Sequence, residues 1–218
     1  MKKYYIVTTL LFYSFSFPIN NNKTFIEDLY QNISGFSIPA EEDETIKNAG
    51  GEPTYGEITC NGTEELIKKF NLSKKDCFYD LGCGTGKMVI QVYLETPIKK
   101  SCGIELSHSR VNQAQEIKKQ LKKDKKIKRN RRLDFKEADL LEAKINDATA
   151  IYIASLCFSD DLMQKITNKL SKLKKGLKVA SLRKLSNENA FKLKESAIIP
   201  MTWSNHTPVY IYELINPQ

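Results

Sequence analysis

Short apolar runs alternate with helically spaced apolar residues along most of this chain. Cys77-Phe78-Tyr79 forms one run, closed by Asp80, and residues 101–106, 133–137, 150–154 and 177–182 read as four more strands. Ahead of the first run, Leu66, Ile67 and Phe70 give a helical face, with Asn61 and Glu64 as its predicted N-cap and capping-box partner. Residues 88–94 predict a helix behind the first strand. Val111, Ala114, Ile117 and Leu121 mark another, and Leu162, Ile166, Leu170 and Leu173 a third, capped by Ser159. Strands alternating with helices predict an α/β domain, a parallel sheet with helices on both faces. The rhythm breaks near the end, where residues 197–203 and 208–215 predict an antiparallel hairpin joined through 204–207.

The segments before this domain read differently. Residues 1–20 have a basic start and a mainly apolar run resembling a secretory signal, too short for the roughly 20 residues of a membrane span. Residues 21–48 are polar and acidic, and predict a linker around a short helix at 25–33; the domain proper is expected over 49–218, opening on a loop at 49–59. Five cysteines, an odd set without C-x-x-C or metal spacing, suit free thiols in a reducing compartment, whereas the N-terminal segment suits export or secretion. Both readings of localisation stay open.

The formal charge of +8 is concentrated in residues 118–132, which hold ten Lys and Arg. Such an arm is either a solvated helix end or a contact for an acidic or nucleic-acid-bearing partner.

The chemistry centres on Asp80-Leu81-Gly82-Cys83-Gly84-Thr85-Gly86-Lys87. Alternate glycines after a strand make a turn too tight for side chains, so a ligand can lie against bare amides at the next helix start. A dinucleotide fingerprint would need glycine where Lys87 stands. A Walker loop would need glycine at Leu81 and a hydroxyl residue at Met88. Open parallel sheets hold ligands at the carboxyl ends of their strands, and Asp80, Glu105 and Asp139 all fall at such ends. Glu105 comes about 20 residues after the turn, where an acid can accept ribose hydroxyls.

The D-x-G-x-G-x-G arrangement resembles the first motif of class I methyltransferases, which use S-adenosylmethionine (SAM). That resemblance implies a Rossmann-like, mostly parallel seven-stranded sheet with a C-terminal antiparallel hairpin. It implies that Asp80 faces the methionyl end, that Gly82, Gly84, Gly86 and Lys87 form the turn, and that Glu105 meets the ribose, Asp139 the adenine amino group and Leu140 the ring.

Further motifs narrow the resemblance. Tyr55-Gly56-Glu57, C-G-I-E at 102–105, E-A-D-L at 137–140, Phe158, and Trp203-Ser204 followed by Pro208-Val209-Tyr210-Ile211-Tyr212 are similar in order to the disruptor-of-telomeric-silencing lysine methyltransferases. These non-SET enzymes methylate the nucleosome core. The likeness implies a protein lysine as acceptor, on a histone or another nucleic-acid-associated protein, with Tyr55 and Glu57 at the cofactor. Tyr55, Trp203, Tyr210 and Tyr212 are the implied walls of an apolar channel that takes the amine. Two departures stand out. Ala154-Ser155 replaces a pair of asparagines, and Ile58 displaces a hydroxyl residue after Y-G-E, leaving Thr59 as the substitute at the methionyl carboxylate. A class I methyltransferase for RNA or a small molecule, and an inactive SAM-binding module, are the rival readings.

Overall fold

Strand β1 (Cys77–Leu81) is buried along its whole length, as a strand with neighbours on both edges and helices on both faces must be. The computed structural model describes residues 19–218; the signal-like segment falls almost wholly outside them. On one side of β1 lie β2 (Lys100–Glu105) and β3 (Arg132–Glu137); on the other lie β4 (Ala150–Ile153), β5 (Lys178–Ser181), β7 (Ser204–Leu214) and β6 (Phe191–Met201). The sheet order is β3-β2-β1-β4-β5-β7-β6, with β7 antiparallel to both of its neighbours and the other pairings parallel. This is the expected seven-stranded, mostly parallel sheet with a terminal hairpin.

The helices follow the predicted faces. On one face, α3 (Cys60–Phe70) and α4 (Lys87–Glu95) send Leu66, Phe70, Met88 and Val92 against Phe78 and Ala150. Ile117 and Leu121 of α5 (His108–Lys123) cover Leu133 and Phe135. On the opposite face, α6 (Asp160–Leu170) packs Leu162, Ile166 and Leu170 over Tyr79 and Ile151. Ser159 caps α6 by accepting the Leu162 N–H at 3.2 Å.

Several local expectations are corrected. The N-cap of α3 is Thr59, whose hydroxyl accepts from Gly62 N at 3.1 Å, so Asn61 lies inside the helix. The hairpin turns at Thr202-Trp203, because Met201 pairs with Ser204; residues 204–207 belong to β7, and β6 starts six positions before Ala197. The 21–48 stretch is not a linker around one helix. It holds α1 (Ile19–Leu29), which ends before residue 33, and α2 (Ala40–Asn48). Of the α2 side chains only Ile46 is buried, so no apolar stripe marked that helix in the sequence.

Candidate active site

The glycine turn takes the predicted backbone. Gly82, Gly84 and Gly86 have φ of +83°, +54° and +82°, a left-handed conformation that other residues reach only at a cost. At Gly84 space is also closed, since a Cβ there would lie 2.6 Å from the Tyr55 ring. Glu105, at the end of β2, braces the turn. One carboxylate oxygen accepts Gly84 N–H at 2.8 Å, and the other accepts Leu106 and Ser107 N–H at 2.9 Å each. Asp80 stands between β2 and β4 with 4% of its surface exposed, and its Oδ1 has no hydrogen-bond partner. Burial, and then the neighbouring Glu105 charge, push its carboxyl well above the usual carboxylate range.

A roof covers this turn. The Tyr55 hydroxyl donates to Glu57 Oε1 at 2.5 Å and meets Thr85 Oγ1 at 3.0 Å; burial and the Glu57 charge raise its pKa, so it stays a neutral phenol. The Arg110 guanidinium lies 4.7 Å from the Tyr55 ring centroid and donates to Gly35 O at 3.0 Å and Pro53 O at 2.8 Å, tying the loop down. Glu57 also faces Lys87 Nζ at 3.5 Å. Helix α2 is latched over the same place. Glu42 accepts from the Ser107 hydroxyl, from Ser109 N at 3.0 Å and from Ser109 Oγ at 2.8 Å, closing the start of α5. Burial opposes its charge, but these hydrogen bonds outweigh it and hold the carboxyl below its ordinary value.

Beneath the roof a cavity of about 330 Å³ runs along the strand ends, within the range of small-molecule sites. Its two halves differ. Over β3, β2 and β1 the walls are Asp139, Leu140, Glu105, Asp80 and the turn; over β4, β5 and the hairpin they are Tyr152, Ala154, Leu156, Phe158, Leu182 and Trp203. Five carboxylates, from Glu52, Glu57, Asp80, Glu105 and Asp139, face two cations, Lys87 and Arg110.

Of the residues singled out in the sequence, Tyr55, Glu57, Asp80, Gly82, Gly84, Lys87, Glu105, Asp139, Leu140 and Trp203 line this cavity. Gly86 instead caps α4 from just behind it. Asp139 also accepts Leu141 N–H at 2.7 Å, so it shapes its own turn. Thr59 is corrected: its hydroxyl is spent on the α3 cap and on Pro200 O at 3.0 Å, outside the lining. Tyr212 and Tyr210 are corrected as channel walls too. Alternation along β7 sends them to the α6 face, where the Tyr212 hydroxyl accepts Leu185 N–H at 3.3 Å, and leaves Val209 and Ile211 on the other face. Arg110, Glu42 and Tyr152 carry no site signal in the sequence. Arg110 sits in a polar helix start and Glu42 in an acidic run, both of which look solvated, and nothing in one sequence brings residues 42 and 107 together.

The bare-amide turn, the orphaned carboxylate of Asp80 and the excess of acid suit a cationic nucleoside ligand such as SAM, which carries a sulfonium and an ammonium group. Sheet order and site together define a class I methyltransferase domain. Solved structures share the fold: an RNA methyltransferase from Salinibacter ruber in complex with S-adenosyl-L-homocysteine has a TM-score of 0.53 at 20% identity, covering 70% of this chain and 90% of that one. TrmN from Thermus thermophilus has a TM-score of 0.57 at 15% identity, covering 70% of this chain and 48% of that one.

The sequence profile of the family "Histone methylation protein DOT1" matches residues 37–206, and the chain belongs to that family. The histone-lysine N-methyltransferase, H3 lysine-79 specific, of Caenorhabditis elegans is 32% identical over 155 residues, 67% of this chain and 16% of the relative. A protein of the same description from Candida glabrata is 28% identical over 172 residues, 75% of this chain and 26% of the relative. A protein-lysine N-methyltransferase of Saccharolobus islandicus is 26% identical over 151 residues, 67% of this chain and 84% of that protein. The chain thus spans only a fraction of the two eukaryotic relatives.

Proposed function

We propose that this domain transfers a methyl group from SAM to the ε-amine of a protein lysine, on a histone within the nucleosome. The observation that carries the reading is the division of one cavity into an acidic half and an apolar half, meeting at Asp80 and opening at the half-exposed Leu156 and Trp203. SAM supplies the electrophilic methyl on its sulfonium. Asp80 and the glycine turn would hold its methionyl end, Glu105 its ribose, and Asp139 with Leu140 its base. A lysine with a reference pKa near 10.4 must shed a proton first, at a cost of about 4 to 5 kcal/mol at neutral pH. The apolar half offsets part of that by disfavouring the ammonium form and aligning the amine. The carboxylates nearest the apolar half are Asp80 at the seam and Glu52, whose backbone N–H donates to Cys157 O at 2.8 Å, and the proton leaves the nitrogen for water.

The polar pair of the family's substrate end has no counterpart here. Ala154 offers no hydrogen bond, and Ser155 is fully buried, its hydroxyl 2.9 Å from Ser181 Oγ and accepting Arg183 N–H at 3.0 Å. Recognition of the target therefore rests on apolar contact at the mouth and on charge elsewhere. The basic segment supplies that charge, as a contact for the nucleic acid of the particle. It lies at the C-terminal end of α5 and the start of β3, at the amino ends of the strands, opposite the cavity mouth. Arg131 turns inward to the Ile98 and Thr96 carbonyls at 2.7 Å each and Lys118 pairs with Asp134 at 3.0 Å. Lys122, Lys123, Lys125, Lys128 and Arg129 remain exposed without a salt bridge among the described residues.

The test is methyl-labelled SAM with nucleosomes, free histones, total protein and RNA. Label on protein lysine, strongest on nucleosomes, is expected. Label on RNA alone overturns the reading in favour of an RNA enzyme. SAM binding without transfer to any of these overturns it in favour of an inactive module.

A further inference from the structure

Tyr152 occupies the seam between the two halves of the cavity. Strand register places it directly beside Asp80, on the same face of the sheet, and it lines the cavity while only 2% exposed. A tyrosine hydroxyl buried so deeply normally finds a nitrogen or oxygen partner. Here the partner is the thioether of Met201, 3.9 Å away, a weak acceptor that takes the hydroxyl proton and leaves the oxygen lone pairs uncommitted. Burial first, and then the Asp80 charge, raise its pKa well above the ordinary tyrosine value, so the group is a phenol at any working pH. Ile58, Met88 and Leu182, with Ala154 against them, share its apolar cluster, and the polar side chain beside it is Asp80, which makes no hydrogen bond to the phenol.

We propose that the Tyr152 hydroxyl accepts an N–H of the acceptor amine and thereby limits how many methyl groups one lysine receives. This rests on the lysine reading above. Each transfer forms an N–C bond and breaks the S–C bond, whose electron pair stays on sulfur, and the nitrogen releases one proton to solvent. An attacking amine aims its lone pair at the methyl and its N–H groups at the wall. Lysine has two N–H bonds in its neutral form, monomethyl-lysine one, and dimethyl-lysine none. The first two forms can satisfy the buried phenol oxygen. The third would press a methyl against it and leave it unpaired, so the last transfer is disfavoured.

The test compares wild type with Tyr152→Phe on recombinant nucleosomes with SAM, reading the mono-, di- and trimethyl ladder by mass spectrometry. SAM affinity is followed by calorimetry. In Y152F the ratio of trimethyl to monomethyl product is expected to rise about tenfold, the scale of one unpaired buried polar group, with SAM affinity unchanged. Met201→Leu removes the atom that orients the hydroxyl and is expected to shift the ladder the same way, by less. An active wild type whose ladder is unchanged in Y152F overturns this inference alone. Loss of SAM binding in a folded Y152F overturns it too, by assigning Tyr152 to the cofactor. A wild type that labels no lysine overturns both this inference and the reading beneath it. If Y152F does not fold, M201L decides, and an unchanged ladder there overturns the assignment.

Discussion

At the scale of single residues, Asp80 shows how binding and stability oppose each other in this site. Its carboxylate has an unpartnered oxygen, is buried and lies near Glu105, so the folded chain binds its proton more tightly than the unfolded chain does. A raised folded pKa contributes stability that is present below the unfolded value near 3.9 and is lost as pH rises through the folded value. Without ligand the wild-type domain should therefore lose stability from acid toward neutral pH through this group. Asp80→Asn has no such titration, and at neutral pH its ligand-free form is expected to be more stable than wild type by about 1 to 3 kcal/mol in denaturant melts. The same substitution should abolish SAM binding in calorimetry. A destabilised variant, or one that keeps its affinity, would contradict the assignment. The aspartate and its glycines were legible because the turn needs a fixed spacing. Thr59 misled because a hydroxyl next to Y-G-E serves a helix cap as readily as a carboxylate site.

At the scale of elements, the parallel strands and the helices α3 to α6 were readable from periodicity, since each buries a stripe of aliphatic side chains. Helix α2 was not. It carries its acids, Glu41, Glu42 and Asp43, in the first turn after Pro39, where they favour the helix dipole, yet a run of acids reads equally well as linker. Tyr210 and Tyr212 misled for a related reason: aromatic content was visible in β7, whereas the face each ring takes depends on where the hairpin turns. The latch between α2 and α5 is open to test. Glu42→Gln keeps the shape but weakens the charge-assisted bonds from Ser107 and Ser109, and should lower SAM affinity roughly three- to tenfold, the scale of a lost helix cap. The depressed pKa of Glu42 makes the latch present above the unfolded carboxylate value and lost as pH falls through the folded one. Wild-type SAM affinity should thus fall toward acid pH more steeply than that of E42Q, as a calorimetric pH series would show.

At the scale of the whole molecule, mouth and basic segment lie at opposite ends of the sheet. Replacing Lys122, Lys123, Lys125, Lys128 and Arg129 by Gln should leave SAM affinity and fold intact while weakening nucleosome binding. The slope of log affinity against log salt should shrink by about 0.9 for each phosphate that is no longer neutralised. An unchanged slope in a gel-shift series at several salt concentrations would show that the segment is only a solvated helix end. The helix joining the two ends, α5, has 16 residues and so measures about 24 Å. It acts as a gauge. A free peptide needs only about seven extended residues to reach across about 24 Å, but it would gain from the basic segment only if it carried acid at its far end, whereas a phosphate-bearing particle wider than α5 would engage both ends at once. Selectivity for particle over peptide would then depend on negative charge carried one helix length from the modified lysine.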